Sequence, residues 1–384
     1  MATVLVCCDK FKGSATSAEV NAALAKGLTS TGHQVLTSPL ADGGDGTLEV
    51  FDELGYQRVE ATVRGSDGQS VRAEYCLHAG EQTAVIEVAR ICGLDMVAVN
   101  SQTPPVDAAV KAGSWGVGDA LIDAMDRGVR QVILTLGGSA TTDAGMGLAA
   151  ALGVVFHDAS GRPVDDVAAK GRIVSADLGG MDPRVADLKV VLASDVRNPL
   201  CGPDGAAAVF GPQKGLTPDA APVVDAGISS LAEVVMSATG RQDVATLPGS
   251  GAAGGLGFMG IVLLGAELRT GVDLVLEKIG FTELLGQADL VVTGEGRIDT
   301  QTLSGKAPAG VAERARAEGV PVVAVCGQNL LGESDGAMGT DLFEKIYTLT
   351  DIEPDVASCI RNPAPLLEDI GVQIAEGVEN FPSF

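Results

Sequence analysis

TVLVCC at residues 3–8 is a continuous apolar run, and DKFKGS at residues 9–14 follows it as a polar loop. Ser17 to Leu28 then carries apolar residues at helical spacing, with its first residue as the expected N-cap. A second apolar segment, Val35 to Leu40, ends in the loop ADGGDG at residues 41–46, and a further amphipathic segment follows. This alternation predicts a parallel sheet whose functional loops lie at the carboxyl ends of its strands.

The same alternation of strand and helix patterns recurs near the end of the chain. Asp289 to Thr293 and Pro321 to Cys326 are apolar strand segments, and a helical pattern from about Pro308 to Glu318 lies between them. We therefore expect both ends of the chain to build one domain.

The middle of the chain has a different pattern. Segments of alternating polarity, which are typical of an antiparallel or mixed sheet, are Gln57 to Val63, Val71 to Leu77 and Thr83 to Val88. Buried strands are predicted at Gln131 to Leu136 and Leu188 to Ala193, and helices at Val117 to Arg127, Ala144 to Leu152 and Gly254 to Leu268.

We predict an α/β protein of two domains, which its length also favours. A Rossmann-like parallel-sheet domain is formed by residues 1–65 and 288–384, and a mixed α/β domain, residues 66–287, is inserted between them. The active site is expected in the cleft between the domains.

Composition restricts the partners of this chain. With 46% apolar but only 3% aromatic residues, the core must consist largely of aliphatic side chains, as in buried parallel sheets. The formal net charge of −24 repels nucleic acid and anionic lipid, and no cluster of Lys or Arg offsets it locally. We expect neither nucleic acid nor a membrane as a partner, and the sequence does not indicate an oligomeric state. An anionic substrate would need backbone N–H groups and a few well-placed cations.

Cysteine and histidine usage points to a cytoplasmic protein without a metal cage. The N-terminus shows no secretory signal pattern, and the seven cysteines, with no C-x-x-C pair, are typical of reduced core residues. The three histidines lie in separate segments, which argues against a His-rich zinc site or a Ser-His-Asp triad.

Gly137 to Gly147, GGSATTDAGMG, follows a predicted strand and opens a predicted helix. Its glycines let the backbone approach a phosphate closely, and the hydroxyls of Ser139 and Thr141 can donate to phosphate oxygens. Asp143 can cap the helix or hold a metal-bound water. The alternative is a tight turn in which the glycines only permit close packing.

Thr293 to Pro308, TGEGRIDTQTLSGKAP, also connects a strand to a helix. Gly305 and Lys306 are similar to the end of a P-loop, but the first glycine and the final Ser or Thr of that motif are absent. Lys306 remains a candidate phosphate cation, and Glu295 and Asp299 are candidate direct or water-mediated Mg²⁺ ligands.

Pro248 to Gly257 contains a literal G-x-G-x-x-G. A dinucleotide fingerprint requires a strand directly before it, whereas Thr246-Leu247-Pro248 precedes it here, and proline is a poor last residue for a central strand. We therefore reject a dinucleotide site and retain an anion loop at a helix N-terminus.

Two further segments offer polar groups at predicted strand ends. Asp195, beside Arg197 and Asn198, can accept a hydroxyl proton or hold a metal, and the alternative is an Asx turn paired with the arginine. Lys12 and Ser14 offer a cation and a hydroxyl to an anion, although that loop alone is equally well explained as a solvated turn.

The order of these loops resembles the type I glycerate kinase family over nearly the whole chain. The segments that carry the resemblance are D-x-F-K-G-S at Asp9 to Ser14, P-L-A-D-G-G-D-G-T at Pro39 to Thr47, G-G-S-A-T-x-D at Gly137 to Asp143, D-V-x-N-P-L at Asp195 to Leu200, F-G-P-Q-K-G at Phe210 to Gly215, G-A-A-G-G-L-G at Gly251 to Gly257 and T-G-E-G-x-x-D-x-Q-T…G-K-x-P at Thr293 to Pro308. Lys10 and Asp45 stand where other members often carry Ser and Glu.

The resemblance implies transfer of the γ-phosphate of ATP to D-glycerate, usually giving 2-phosphoglycerate, on a two-domain α/β fold. Phosphoryl transfer requires a phosphate cradle, Mg²⁺, a carboxylate clamp and a group that orients the acceptor hydroxyl. We expect Asp195 and Lys306 to be catalytic. Expected glycerate ligands are Lys12, Ser14, Arg64, Arg197 and Asn198; expected ATP phosphate ligands are Gly137, Gly138, Ser139, Thr141, Gly294 and Gly305; expected Mg²⁺ ligands are Asp42 and Glu295.

Three alternative activities have weaker support in the sequence. A kinase for a related hydroxy-acid, such as tartronate or a longer aldonate, would use the same loops. A dinucleotide-dependent oxidoreductase rests only on the G-x-G-x-x-G match, and a non-catalytic anion sensor would bind without releasing ADP.

Overall fold

A computed structural model describes residues 1–97, 103–303, 305–332, 342–378 and 381. The chain forms two compact units, residues 1–54 with 271–384 and residues 55–270. Both joints therefore precede the expected ones at 65/66 and 287/288. Gln57–Arg64 belongs to the second unit because it pairs along its whole length with Ser70–His78, and the helices of residues 271–285 belong to the core of the first.

The strands are β1 (Thr3–Cys8), β2 (Gln34–Thr37), β3 (Gln57–Arg64), β4 (Ser70–His78), β5 (Thr83–Glu87), β6 (Gln131–Thr135), β7 (Val155–Asp158), β8 (Ile173–Asp177), β9 (Lys189–Ala193), β10 (Glu267–Arg269), β11 (Leu290–Ile298), β12 (Val322–Asn329) and β13 (Lys345–Thr348).

The α-helices are α1 (Ser17–Ser30), α2 (Thr47–Glu53), α3 (Ala89–Cys92), α4 (Leu94–Val97), α5 (Val106–Lys111), α6 (Trp115–Asp126), α7 (Met146–Ala151), α8 (Ala206–Phe210), α9 (Ala220–Thr239), α10 (Leu256–Leu264), α11 (Gly271–Lys278), α12 (Phe281–Leu285), α13 (Thr300–Leu303), α14 (Ala307–Ala317), α15 (Val356–Arg361) and α16 (Pro363–Gly377). Short 3₁₀ helices lie at Val167–Arg172, Pro183–Asp187, Pro212–Lys214, Val244–Thr246, Ala252–Gly255 and Leu349–Asp351.

The sheet of the first unit is parallel throughout, in the order β13-β12-β11-β1-β2. The chain leaves β1 toward one edge through α1, whose apolar side packs with α16 in one core cluster. It leaves β11 toward the other edge through α14, whose apolar side lies in a separate cluster with α11 and α12. The direction of connection thus reverses between β1 and β11, and in open α/β sheets such a switch point is where ligands bind.

The second unit contains a mixed sheet in the order β10-β9-β6-β5-β4-β3. Strands β10, β9, β6 and β5 are parallel, whereas β4 is antiparallel to both of its neighbours. The loops that follow β5, β6 and β9 therefore leave the same edge of the sheet. These topologies confirm the predicted two-domain α/β fold class.

Two local expectations were wrong. Thr16, not Ser17, caps α1, because its side chain and that of Glu19 form a reciprocal capping box. The helix expected from Gly254 to Leu268 is shorter: α10 ends at Leu264, since Gly265 adopts a left-handed φ of 64°, and β10 follows.

Helix α9 is long and apolar enough to cross a membrane by length and composition alone, a criterion that core helices also meet. Here it packs against α8, α10 and β8 within the second unit.

Candidate active site

Three carboxylates gather at the switch point of the first unit. The amide of Asp9 donates to the carbonyl of Gly294 at 2.8 Å, which extends the β1–β11 ladder and brings Asp9 level with Glu295. Asp42 lies in the loop after β2. The pKa of Asp9 is raised to about 7, chiefly by burial; Lys10 lowers it, and the charges of Asp42 and Glu295 raise it by smaller amounts. The three groups are therefore electrostatically coupled.

Glu295 has one paired and one unpaired carboxylate oxygen. Its Oε2 lies 3.3 Å from Nζ of Lys306, but its Oε1 is buried and has no hydrogen-bond partner among the described residues. Burial raises the pKa of Glu295, whereas the Thr302 hydroxyl and the Lys306 ammonium lower it. Because an unpartnered buried carboxylate oxygen is costly, this atom points to a cation or donor that arrives with a ligand.

The carboxylates of Asp42 and Glu295 fit Mg²⁺, which usually takes one or two carboxylates and completes its shell with water and phosphate oxygens. Across the described part of the chain, no group of three or more His, Cys, Asp or Glu side chains could hold a metal ion by itself. Asp9 is thus a neighbour of the predicted ligands rather than a third member of a protein-only cage.

The loop that carries Asp42 is held closely by the backbone around it. Asp42 Oδ1 accepts from the amide of Gly44 at 3.0 Å, and Nζ of Lys10 donates to the carbonyl of Asp45. A Cβ on Gly271 would lie 2.0 Å from the carbonyl oxygen of Asp42. The start of α11 therefore fixes this loop by a contact that only glycine permits.

The other residues of the β11–α14 connection that were predicted to bind ATP or Mg²⁺ have different surroundings. Lys306 is the N-cap residue of α14, and its side chain is 30% exposed. Asp299 caps α13: its Oδ1 accepts from the amide of Gln301 at 2.9 Å. This carboxylate, predicted as a direct or water-mediated metal ligand, therefore has a structural role in the helix. A Cβ on Gly294 would lie 1.9 Å from the carbonyl oxygen of Val325, so strand packing accounts for this glycine. Gly305, with a φ of 108°, lies in open space.

In the first loop, Lys12 is exposed in a turn closed by the bridge between Phe11 and Ala15. The hydroxyl of Ser14 donates to the carbonyl of Ile360 at 2.8 Å, so its donor is already used within the first unit.

The glycine-rich loop of the second unit follows β6, as predicted. Gly137 and Gly138 are exposed, whereas Ser139 and Thr141 are buried. The ammonium of Lys214, only 3% exposed, donates to the carbonyl of Thr141 at 2.7 Å and to the hydroxyl of Ser139 at 3.2 Å. A buried cation thus lies against the loop that we predict to hold phosphates.

Asp143 fixes the shape of this loop. Its carboxylate is fully buried and accepts from the amide and hydroxyl of Ser114 at 2.9 and 2.8 Å and from the amides of Gly145 and Gly147 at 3.0 Å each. Four donors fill its oxygens, which favours the capping role over a metal-bound water.

The G-x-G-x-x-G segment is a packing element. The 3₁₀ helix Val244–Thr246, not a strand, precedes it, which agrees with the rejection of a dinucleotide site. A Cβ on Gly251 would lie 2.2 Å from the carbonyl oxygen of Pro199, and one on Gly254 would lie 1.8 Å from that of Thr141. These glycines let the segment pack closely against the loops after β9 and β6. Because packing accounts for them, the expectation of an anion loop here is weakened.

Asp195 follows β9 and is exposed, as is Arg197. Because β6 and β9 are parallel neighbours, Asp195 leaves the same edge of the sheet as the glycine-rich loop. The side-chain amide of Asn198 donates to the carbonyl of Asp204 at 2.8 Å, so part of its capacity serves the loop itself.

Arg64 already has a carboxylate partner. Its Nε and Nη2 donate to the two oxygens of Asp119 at 2.9 and 2.6 Å, and its backbone amide donates to Asp119 as well. This fork-to-fork pair occupies the geometry that a substrate carboxylate would need, so Arg64 is a weak candidate for the glycerate clamp.

Asp9, Lys214 and Glu87 were absent from the predicted site. Glu87 is fully buried at the carboxyl end of β5 and pairs with Arg90 at 3.2 Å. The sequence did signal the two carboxylates, since each lies at the carboxyl end of a buried apolar strand. Lys214 gave no such signal, because only the fold shows that its side chain points inward.

Comparison with known proteins gives a consistent result. Residues 4–379 match the model of the glycerate kinase family. The chain is 38% identical to a glycerate kinase of Halalkalibacterium halodurans, over 98% of each protein, and 36% identical to the glycerate 2-kinase of Escherichia coli, over 98% of this chain and 99% of that enzyme. It also resembles the crystal structure of a putative glycerate kinase 2 from Salmonella typhimurium, with a TM-score of 0.83 and 34% identity over 99% of this chain and 98% of that one.

Proposed function

The chain belongs to the glycerate kinase family, and from that premise we propose that it transfers the γ-phosphate of ATP to D-glycerate, giving 2-phosphoglycerate and ADP. The observation that carries the proposal beyond family membership is Oε1 of Glu295. This buried, unpartnered carboxylate oxygen lies beside Lys306 at the switch point of a parallel sheet. Mg²⁺ bound to a phosphate would supply a positive charge to this oxygen. Lys306 is close enough to contact the phosphate.

In the first unit, Asp42 and Glu295 would hold Mg²⁺, and Lys306 would bind ATP phosphate oxygens, with Gly305 giving the backbone room to approach. The metal would supply charge neutralisation on the phosphate oxygens. Lys306 can exchange its contact with Glu295 for phosphate because the ammonium is part-exposed.

In the second unit, the loop after β6 would bind phosphate through Gly137, Gly138, Ser139 and Thr141. The exposed glycines allow close backbone approach, and the loop is held from within by Asp143 and Lys214.

Asp195 is the proposed base. It would accept the proton of the glycerate hydroxyl as that oxygen attacks the γ-phosphorus and ADP leaves. Lys12, Ser14, Arg197 and Asn198 remain the proposed glycerate ligands, and the exposed cations Lys12 and Arg197 are the best suited of these to a carboxylate.

The test is a coupled ADP-release assay with D-glycerate, tartronate and longer aldonates as acceptors, at varied Mg²⁺. We expect D-glycerate to give the highest kcat/KM and chelation of Mg²⁺ to abolish turnover. Phosphorus NMR of the product distinguishes 2-phosphoglycerate from 3-phosphoglycerate. ADP release with another hydroxy-acid but not with glycerate would refute the substrate while leaving the kinase class standing.

We also propose that the enzyme acts in the cytoplasm. All seven cysteines are free thiols, and six of them are buried, which suits a reducing compartment with an ATP supply.

A further inference from the structure

Lys214 is almost completely buried, and the function proposed above gives it no more than a supporting contact to the loop after β6. We infer that Lys214 is a positioning residue: it holds the Ser139–Thr141 stretch of the glycine-rich loop in place and supplies the buried positive charge that an anion bound to that loop requires. This inference rests on the proposed phosphate role of the loop.

The local sequence explains why Lys214 points inward. Phe210 to Gly215 reads FGPQKG, and Pro212–Lys214 forms a single 3₁₀ turn that ends at Gly215 with a φ of 100°. A Cβ on Gly215 would lie 2.1 Å from the carbonyl oxygen of Pro104, so both the left-handed backbone and the close approach require glycine. The turn leaves the lysine 3% exposed.

The ammonium connects two residues of the loop to the distant Phe210–Gly215 segment. It donates to the carbonyl of Thr141 and to the hydroxyl of Ser139, residues more than 70 positions away in sequence. Two of its three N–H groups are thereby used, and the described residues offer no partner for the third. Since burying a charged ammonium with an unsatisfied donor is costly, an anion at this loop would relieve the cost.

The charge state of Lys214 is set by its surroundings. Burial lowers its pKa to about 8, while Cys92 and Asp143, the titratable groups that face it, raise the pKa in part. Near pH 8 both the charged and the neutral form of Lys214 are therefore populated. Because a bound anion favours the charged form, binding near pH 8 should be accompanied by proton uptake.

Lys170 provides a matched control. It is 2% exposed, burial lowers its pKa, and Asp143 and Asp166 partly offset that effect. Its ammonium donates to the carbonyl of Val167 at 2.9 Å and not to the loop. Lys170→Met thus removes a buried lysine near Asp143 without removing a support of Ser139 and Thr141.

The experiment is calorimetry of Mg·ATP binding at pH 8 in buffers of different ionisation enthalpy, repeated with tripolyphosphate. We expect net proton uptake on anion binding in the wild type and in Lys170→Met, and none in Lys214→Met. We also expect Lys214→Met to lower kcat/KM for ATP by about 10- to 100-fold, with KM for glycerate unchanged.

Lys214→Arg covers the case in which the methionine variant fails to fold. Arginine stays charged, so this variant should bind the anion without proton uptake. Absence of uptake in the wild type, or uptake of wild-type size in Lys214→Met, overturns the inference. If no acceptor supports ADP release but tripolyphosphate binds with Lys214-dependent uptake, the proposed kinase function fails and the inference stands. If the wild type binds neither anion, both fail.

Discussion

Asp9→Asn should stabilise the metal-free protein at pH 8 and stabilise it far less at pH 5. The side chain is nearly buried, and burial raises the pKa of Asp9 to about 7. Its ordinary pKa is about 3.9, so the folded protein holds this proton more tightly than the unfolded chain does. The stability that comes from the protonated carboxyl is complete below about pH 4 and is lost as pH rises through about 7.

The magnitude follows from the two pKa values. Integrating the linkage relation from low pH gives a cost of roughly 1 to 2 kcal/mol at pH 5 and roughly 4 kcal/mol at pH 8 for ionising Asp9. An asparagine avoids this cost at both pH values, and its carbonyl oxygen can still accept from the amide of Lys10, as Asp9 does at 2.7 Å. The advantage of the variant should therefore grow by roughly 2 to 3 kcal/mol between pH 5 and pH 8.

The assay is urea unfolding in EDTA at both pH values, followed by far-UV circular dichroism because the single tryptophan, Trp115, lies in the second unit. The pH 5 measurement is the control, since it contains the same side-chain replacement. A stability difference between Asp9→Asn and the wild type that is equal at pH 5 and pH 8 would refute the reasoning.

Three further predictions test other parts of the molecule. Lys306→Ala should lower kcat by about 100-fold or more, because it removes a positive charge that binds phosphate. If steady-state kinetics show unchanged kcat and KM for ATP, this lysine is a surface residue without a catalytic role. Asp195→Asn should lower kcat by roughly 10²- to 10⁴-fold without rescue at raised Mg²⁺, whereas rescue in a Mg²⁺ titration would indicate a metal ligand instead of a base. Gly254→Ala should cost several kcal/mol in urea unfolding, since its Cβ would lie 1.8 Å from the carbonyl oxygen of Thr141; the control Gly240→Ala, with nearly the same φ but open space, should cost about 1 to 2 kcal/mol, and equal losses would contradict the packing role.

The sequence by itself determined the order of strands and helices and the identity of the loops that carry polar groups. Apolar periodicity is a local property, so β1, α1 and α14 could be read within a few residues of their bounds. The glycine-rich loops also followed from local chemistry, because turn residues between a strand and a helix mark the carboxyl edge of a parallel sheet.

Only the tertiary structure decided which residues meet. Asp9 comes level with Glu295 because β11 pairs with β1 across more than 280 positions, a choice of neighbour that no local pattern encodes. The same holds for Lys214, whose partners in the glycine-rich loop lie more than 70 positions away. From the sequence, Arg64 was a candidate to bind a substrate carboxylate. In the fold, its guanidinium is paired with Asp119 of α6. Periodicity fixes each element separately, whereas the site depends on long-range contacts that form only when the elements pack.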